Sequence, residues 1–408
     1  MSGGRLSVVV VSAGRPDALL RCLLGLSQQA KAGCEVIVVA DPQGQAAARS
    51  LPVAGALKLL PQRGANISAA RNAGIAAAAG DIIAFIDDDA VPEPTWSQAV
   101  IRAFSGSDLA AISGPVLGRN GISLQWGPMA VNGAAEDIPS EPNAPIRAGL
   151  VRKLQGTNMA FRRDALAQVG GFDEAMHFYL DDTDMAIRVG QAGLPTAWIP
   201  GAVVHHGFKA SSRRTEARVP LSLFDIGASS AVYLRKHAPE EQAMALHGLE
   251  AAQSTRLLRM VKTRKLDAEK MRNLLESLRD GIAAGQARES TVPHVQIPSS
   301  DFDPFQRADP PPPRLLSGRS FQLPRLRAEA KALVEQGQPV SLFAFEPTPR
   351  KHRVRFTDGA WWEHTGGLFG PSDRSGPRVQ FFSFKARVAA EARRISATRG
   401  VGALGDMD

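Results

Sequence analysis

Three consecutive carboxylates, Asp87, Asp88 and Asp89, close the apolar run Ile82-Ile83-Ala84-Phe85-Ile86. A short apolar run that follows Gly80-Asp81 and ends in charge reads as a fully buried strand, with the carboxylates where it leaves the sheet. Adjacent carboxylates repel, and each loses hydration on partial burial, so the grouping calls for a cation. Oxygen ligands at the carboxyl edge of an open α/β sheet suit Mg²⁺ or Mn²⁺, ions that commonly carry phosphates. The bland alternative is a solvated acidic turn. A second acidic group, Asp181, Asp182 and Asp184, opens the helix expected over Met185 to Ala192, where the macrodipole favours acids and Gly193 supplies the stop. His205-His206 follows the strand piece Ala202 to Val204.

The elements around these residues alternate. Leu6 to Val11 is a β-branched strand closed by Ser12-Ala13-Gly14, and the leucines from Leu19 to Leu26 have helical spacing. Cys34 to Ala40 is a second buried strand ending at Asp41-Pro42, Ala56 to Leu60 a third, and Asn66 to Ala79 a helix leading to the strand of the triplet. Such alternation implies right-handed crossovers and a mostly parallel, doubly wound sheet, with ligands at the strand carboxyl ends. Loops carrying Ser12 to Arg15, Asp41 and Asp87 to Asp89 should then converge on one crevice. Further on, Pro92-Glu93-Pro94 starts a helix, Ala110 to Val116 is a strand, and Leu117 to Arg147 reads as a long loop.

Composition bounds the rest. A chain of 408 residues with 44% hydrophobic content can bury a large core and suggests two or three units. Two cysteines, Cys22 and Cys34, exclude a disulfide framework, so a reducing, cytoplasmic setting is expected. The start lacks the order of a signal peptide, and no apolar stretch approaches the roughly 20 residues of a membrane helix. A net charge of +8 favours anionic partners.

With these residues in order, the chain resembles family 2 glycosyltransferases of the GT-A fold. The resemblance rests on SVVVVSAGRP, the strand ending in Asp41, SAARNAGIAAAAGD, IIAFIDDDA, GTNMAFRRDALAQVGGFDE and LDDTDMAIRVGQAG, and covers Leu6 to about Pro239. It implies inverting transfer of a sugar from a nucleotide diphosphate sugar, UDP-linked by expectation, to a hydroxyl of a glycan or lipid-linked acceptor, with Mn²⁺ or Mg²⁺ on the diphosphate. By position, Asp87 and Asp89 match the DXD pair, Asp89 as direct metal ligand and Asp87 near the ribose and the metal shell. Ser12, Arg15, Asp41, Arg71 and Asp88 fall among the nucleotide-binding positions, and Asn72 lies on the same helix as Arg71. Asp182 matches the catalytic base, and Asp181, Gly156 and Asn158 match acceptor-binding or orienting positions; Asp181 stands where the family usually has Glu. Asp184 is as well placed for capping as for function. The late metal ligand is read as His205, with His206 the alternative. Lys209, Arg213 and Arg214 form a basic loop that could close over the diphosphate. No Gln-x-x-Arg-Trp motif is present, so a non-processive enzyme of polysaccharide or glycolipid assembly is expected.

The expected organisation is α/β: a GT-A type doubly wound, mixed but mostly parallel sheet over 1–210 (nucleotide-binding half 1–100, acceptor half 101–210), helices over 211–290, a proline-rich linker over 291–324 and a small α+β module over 325–408. In that module a helix is expected over Arg325 to Gln336, and strands over Val340 to Phe345 and Val379 to Phe384. The run from Arg256 to Lys265 either packs an apolar face on the core or touches an anionic membrane at the inner face. Trp361-Trp362 beside Gly366-Gly367 could stack on sugar rings, form a docking patch or form the core of the module. Two other readings are a nucleotidyltransferase, which lacks its Gly-rich basic loop here, and a catalytically silent relative acting in assembly or membrane docking. No nucleic-acid-binding module is recognisable.

Overall fold

Runs of valine and isoleucine with no polar face build a sheet that must be covered on both sides. The computed structural model describes residues 4–31, 33–207, 215, 217–290, 292, 301–305 and 308–401. Strands β1 (Leu6–Ser12), β2 (Cys34–Ala40), β3 (Leu57–Pro61) and β4 (Ile82–Asp87) are parallel and alternate with helices α1 (Pro16–Leu26), α2 (Pro42–Arg49) and α3 (Ile67–Ala77). Val8 and Val10 face Leu19 and Leu23 of α1, whereas Val9 faces Ile75 of α3, so the period of two splits each strand between two cores.

After β4 the chain makes the short strand β5 (Ala90–Pro92) and helix α4 (Trp96–Phe104). The strand expected over Ala110 to Val116 is broken at Gly114-Pro115 into β6 (Ala111–Ser113) and β7 (Val116–Leu117). The expected long loop carries short strands: β8 (Leu124–Trp126), β9 (Met129–Val131) and β10 (Asp137–Pro139), with β11 (Val151–Arg152) pairing on β9. Strands this short escape periodicity because three residues cannot display a repeat. Next come β12 (Asn158–Arg162), α5 (Arg163–Val169), α6 (Asp181–Gln191), β13 (Thr196–Trp198) and β14 (Val204–His206). The central sheet has the order β13-β6-β12-β4-β1-β2-β3, with β12 antiparallel to both of its neighbours. This is the mixed, mostly parallel sheet expected from the sequence.

Helix α7 (Phe224–His237) packs closely on α9 (Ala268–Ala287), with α8 (Gln242–Lys262) between them in sequence. A Cβ on Gly281 would lie 2.1 Å from the Phe224 carbonyl oxygen, and one on Gly285 2.2 Å from that of Ala228. Small residues set this spacing. On α8, Leu257 is buried while Met260 and Val261 pack partly, and Leu258 stays 47% exposed beside Arg256 and Arg259. No helix among the described residues is long and apolar enough to cross a membrane.

The expected linker over 291–324 is shorter than its proline content suggests. Phe305 is buried in the first core, and Arg314–Arg319 is a strand, β15, of the terminal module. This strand is followed by α10 (Leu323–Glu335), β16 (Val340–Glu346), β17 (Arg353–Phe356), β18 (Trp362–Gly367) and α11 (Phe384–Arg399). The prolines end just before β15, and parallel pairing to β16 overrides their extended bias. The expected strand at Val379 to Phe384 is absent; residues 379–383 lead instead into α11, whose N-cap Ser383 accepts from the Ala386 N–H. Gly281→Ala should therefore lower stability by about 1–3 kcal/mol through overpacking, and urea unfolding of the full chain checks it.

Candidate active site

Parallel strands deliver Ser12, Asp41 and Asp87 to one edge of the sheet, as register dictates. Charge balance then shapes the edge. Asp88 is fully buried; Ser12 donates to it (2.7 Å) and Arg15 Nε reaches it at 3.1 Å, while Arg15 Nη1 lies 3.1 Å from Asp89. Burial, opposed by Arg15 and reinforced by Asp89, pushes the Asp88 carboxyl above the usual carboxylate range. Asp88, Ser12 and Arg15 thus form the floor of the site. Asp41 caps α2 by accepting from Gly44 N–H (2.7 Å) and also accepts from Gly14 N–H (2.6 Å), which ties the first two loops together.

The second acidic group meets the first through a turn. Gly156 N–H donates to Asp182 (2.8 Å), and the next residue, Thr157, donates its hydroxyl to Asp87 (2.5 Å). Arg71, only 4% exposed, pairs with Asp181, donates to the Gly156 carbonyl (3.2 Å) and stands 3.6 Å from Asp87. Burial, opposed by Arg71 and reinforced by Asp182, raises the Asp181 carboxyl. Asp181 is therefore engaged in holding Arg71. Asn72 faces the other way, donating to Phe172 carbonyl and to Glu174.

Tyr179 and Leu180, immediately before Asp181, both have left-handed backbone (φ 78° and 64°). Two consecutive non-glycine residues in that region cost of order 1–3 kcal/mol each, a cost the surrounding contacts must offset. The turn lets α6 start with Asp182 at the crevice. Asp184, on the same first turn of α6, is fully buried and bound by Arg188 (2.8 Å), Lys236 (2.7 Å) and His237 (2.8 Å), so it locks α7 behind the site.

Two expectations about side-chain direction need correction. Asn158 does not face an acceptor: Trp96 donates to its amide oxygen (3.0 Å), and its nitrogen donates to the carbonyls of Pro115 and Ala202. His205 does not face the triplet either. Its Nε2 is 2.7 Å from Glu93, while His206 Nε2 is 3.0 Å from Asp89. Neighbours on a strand point to opposite faces, so only one of the pair reaches Asp89. The expected basic loop of Lys209, Arg213 and Arg214 lies outside the described residues.

Asp87, Asp89 and His206 offer three ligand atoms within 4.8 Å of one another. Two carboxylates and one imidazole fit Mn²⁺ or Mg²⁺ carrying a phosphate-bearing ligand. Sequence reasoning missed the partners of His206, which are Gln125 (Nδ1 to Oε1, 3.0 Å) and the stacked Trp126 ring at 5.6 Å. It also missed Thr157 and Glu93; the only signal for Glu93 was an acid between two prolines. Trp361 and Trp362 are 9% and 2% exposed: Trp361 joins the core of the module, and Trp362 packs against Val91 and the His205 ring.

A sequence profile described as "Glycosyltransferase like family 2" matches residues 4–219, more than half of the chain. The chain belongs to this family. Among curated relatives of this family 2 member, the pre-mycofactocin glycosyltransferase of Mycobacterium tuberculosis is 27% identical over 186 residues, 44% of this chain and 37% of that protein. The succinoglycan biosynthesis protein ExoM of Rhizobium meliloti is 29% identical over 217 residues, 49% of this chain and 66% of that protein. The chain thus spans little more than a third of the first relative and just under two thirds of the second. A solved mannosyltransferase from Pyrobaculum calidifontis, in complex with GDP-Man and Mn²⁺, aligns with 70% of this chain and 88% of that one at 16% identity and TM-score 0.43.

The edge of the crevice facing the terminal module rests on Glu93. Burial alone would raise its carboxyl, but Arg399 and His205 more than offset this and hold it at about 2, below the ordinary 4.5. A group depressed in the folded state contributes stability above its unfolded value and loses it as pH falls through the folded one. Docking of α11, read by amide exchange of residues 391–399, should therefore be constant down to about pH 4.5 and weaken as pH approaches 2.

Proposed function

We propose that this chain is a metal-dependent, inverting, non-processive glycosyltransferase that moves a sugar from a nucleotide diphosphate sugar to a hydroxyl of a glycan or lipid-linked acceptor. The observation that carries the reading is the Gly156-Thr157 turn, which links Asp182 to Asp87 through two consecutive residues. A base and a metal-binding carboxylate are thereby held in one frame. Asp89, Asp87 and His206 would hold Mn²⁺ or Mg²⁺, which when bound supplies charge neutralisation for the departing diphosphate.

Asp182 is partly exposed and takes one hydrogen bond from backbone and one from Thr183 (3.2 Å). Its carboxylate can accept a proton from an acceptor hydroxyl as that oxygen attacks the anomeric carbon from the face opposite the diphosphate. A single displacement of this kind inverts the configuration. Arg71 fixes Asp181 beside the base, and Gly14 N–H fixes Asp41, which holds the first two loops together at the edge where a nucleoside would lie. A UDP-sugar is the first donor to test, and surface polysaccharide or glycolipid assembly is the setting that family membership favours.

Donor binding and transfer with a panel of nucleotide sugars test the reading. Asp182→Asn should keep donor affinity and lower kcat by about 10²–10⁴-fold; unchanged turnover would remove Asp182 as base. Asp89→Ala should weaken Mn²⁺-linked nucleotide binding, followed by calorimetry, while the same binding measured in chelator stays as it was.

A further inference from the structure

We propose that Arg399, at the end of the terminal helix α11, is a positioning residue for the metal centre, acting through Glu93 and His205 on the strand that presents His206. The proposal rests on the metal-dependent reading above and adds to it that the terminal module is part of the site.

The link is direct. Arg399 binds Glu93 with two nitrogens, Nε to Oε2 at 2.7 Å and Nη2 to Oε1 at 2.8 Å, and the same Oε1 lies 2.7 Å from His205 Nε2. All three side chains are buried, with 3% exposure for Glu93 and for Arg399 and 9% for His205. A two-pronged guanidinium–carboxylate pair fixes orientation as well as distance. Trp362 fills the angle between them, 4.1 Å beneath the guanidinium and 4.6 Å from the His205 ring.

Glu93 and Asp89 bracket β5, and β5 pairs antiparallel with β14 so that Val91 opposes His205 and Ala90 opposes His206. Glu93 N–H donates to the Val203 carbonyl (2.9 Å) and Gly207 N–H to that of Asp89 (2.7 Å), closing the ribbon at both ends. His205 on β14 meets Glu93, which Arg399 holds, whereas His206 projects from the opposite side of β14 and meets Asp89 in the turn that precedes β5. Because successive residues alternate faces, fixing His205 sets the roll of the strand and with it the direction of His206.

Arg399 is itself held from within the module. Its Nη1 is 2.6 Å from His364 Nε2, and His364 Nδ1 is 2.9 Å from His352 Nε2. Burial drives both imidazoles to the neutral form, His352 to about 3. A neutral His364 that accepts from Arg399 at Nε2 carries its proton on Nδ1, toward His352. The module also borders the crevice: a cavity of about 520 Å³ is lined by Asp89, His205 and His206 together with Arg355, Thr357 and Trp361.

Mn²⁺ titration of the full chain, followed by the electron paramagnetic resonance of the free ion, tests the proposal. Arg399→Met should weaken Mn²⁺ binding by about 10-fold, the lower end for losing an outer partner of a metal ligand. Arg399→Lys, which restores the charge without the fork, should recover part of that loss. A merely structural role would lower the melting temperature and leave the affinity of the folded protein unchanged. Asp89→Ala is run beside them. Lost binding in Asp89→Ala with unchanged binding in folded Arg399→Met overturns the positioning role and leaves the metal centre standing. No Mn²⁺ binding by the wild type, or unchanged binding in Asp89→Ala, overturns both. Should Arg399→Met fail to fold, Glu93→Gln cuts the same charge link at constant shape, and unchanged Mn²⁺ affinity there overturns the proposal.

Discussion

Carboxylates crowded at the end of buried strands repel one another, and most of what surrounds the crevice can be traced to that repulsion. Asp87, Asp88 and Asp89 leave β4 together, with Asp181 and Asp182 arriving from α6. Each needs a counter-charge or donor that the sheet itself cannot supply. Arg15 answers Asp88 and Asp89, Arg71 answers Asp181 with Asp87 close by, and His206 completes the group at Asp89. These partners come from the first loop, from the crossover helix α3 and from a strand over a hundred residues downstream. The crevice therefore exists only when the whole catalytic unit is folded around it.

The same logic extends away from the crevice. Asp184 lies on the first turn of α6 like Asp182, yet its partners are Arg188, Lys236 and His237, so it joins α6 to the helical extension. Glu93 lies one short strand beyond Asp89, and its partners join the catalytic unit to the terminal module. Val91 adds an apolar seam there with Val354, Phe356, Ala360 and Trp362, and Gln28 donates to the Ala360 carbonyl at 2.6 Å. Buried charge pairs of this kind contribute little net stability against hydrophobic alternatives, but losing one partner is costly, so they favour one arrangement of the units over others.

Substrate identity is not written in these contacts. The fold is shared by enzymes with different donors and acceptors, and specificity resides in loops around a common frame. In this chain Arg355, Thr357 and Trp361 of the terminal module line the cavity beside Asp89 and His206 and so add a wall that the catalytic unit does not supply.

Much of the frame was legible without coordinates. The unbroken β-branched runs of β1, β2 and β4 can only be central strands, and their alternation with helical segments dictates a parallel sheet with loops at one edge. The acidic triplet and the LDDTD segment were readable because their positions follow from local periods. What the sequence left open was decided by packing. Whether His205 or His206 faces Asp89 depends on the roll of a three-residue strand, which pairing with β5 and the Glu93–Arg399 contact determine. Asn158 was assigned to the crevice by position, but its amide is taken up by Trp96, Pro115 and Ala202, partners that become neighbours only on folding. The strand at Arg314–Arg319, hidden behind prolines, and the docking of α11 on Glu93 were likewise invisible. Local sequence sets periodicity, whereas the partner of a buried polar group is chosen by long-range contact, for Glu93 and Arg399 across 306 residues.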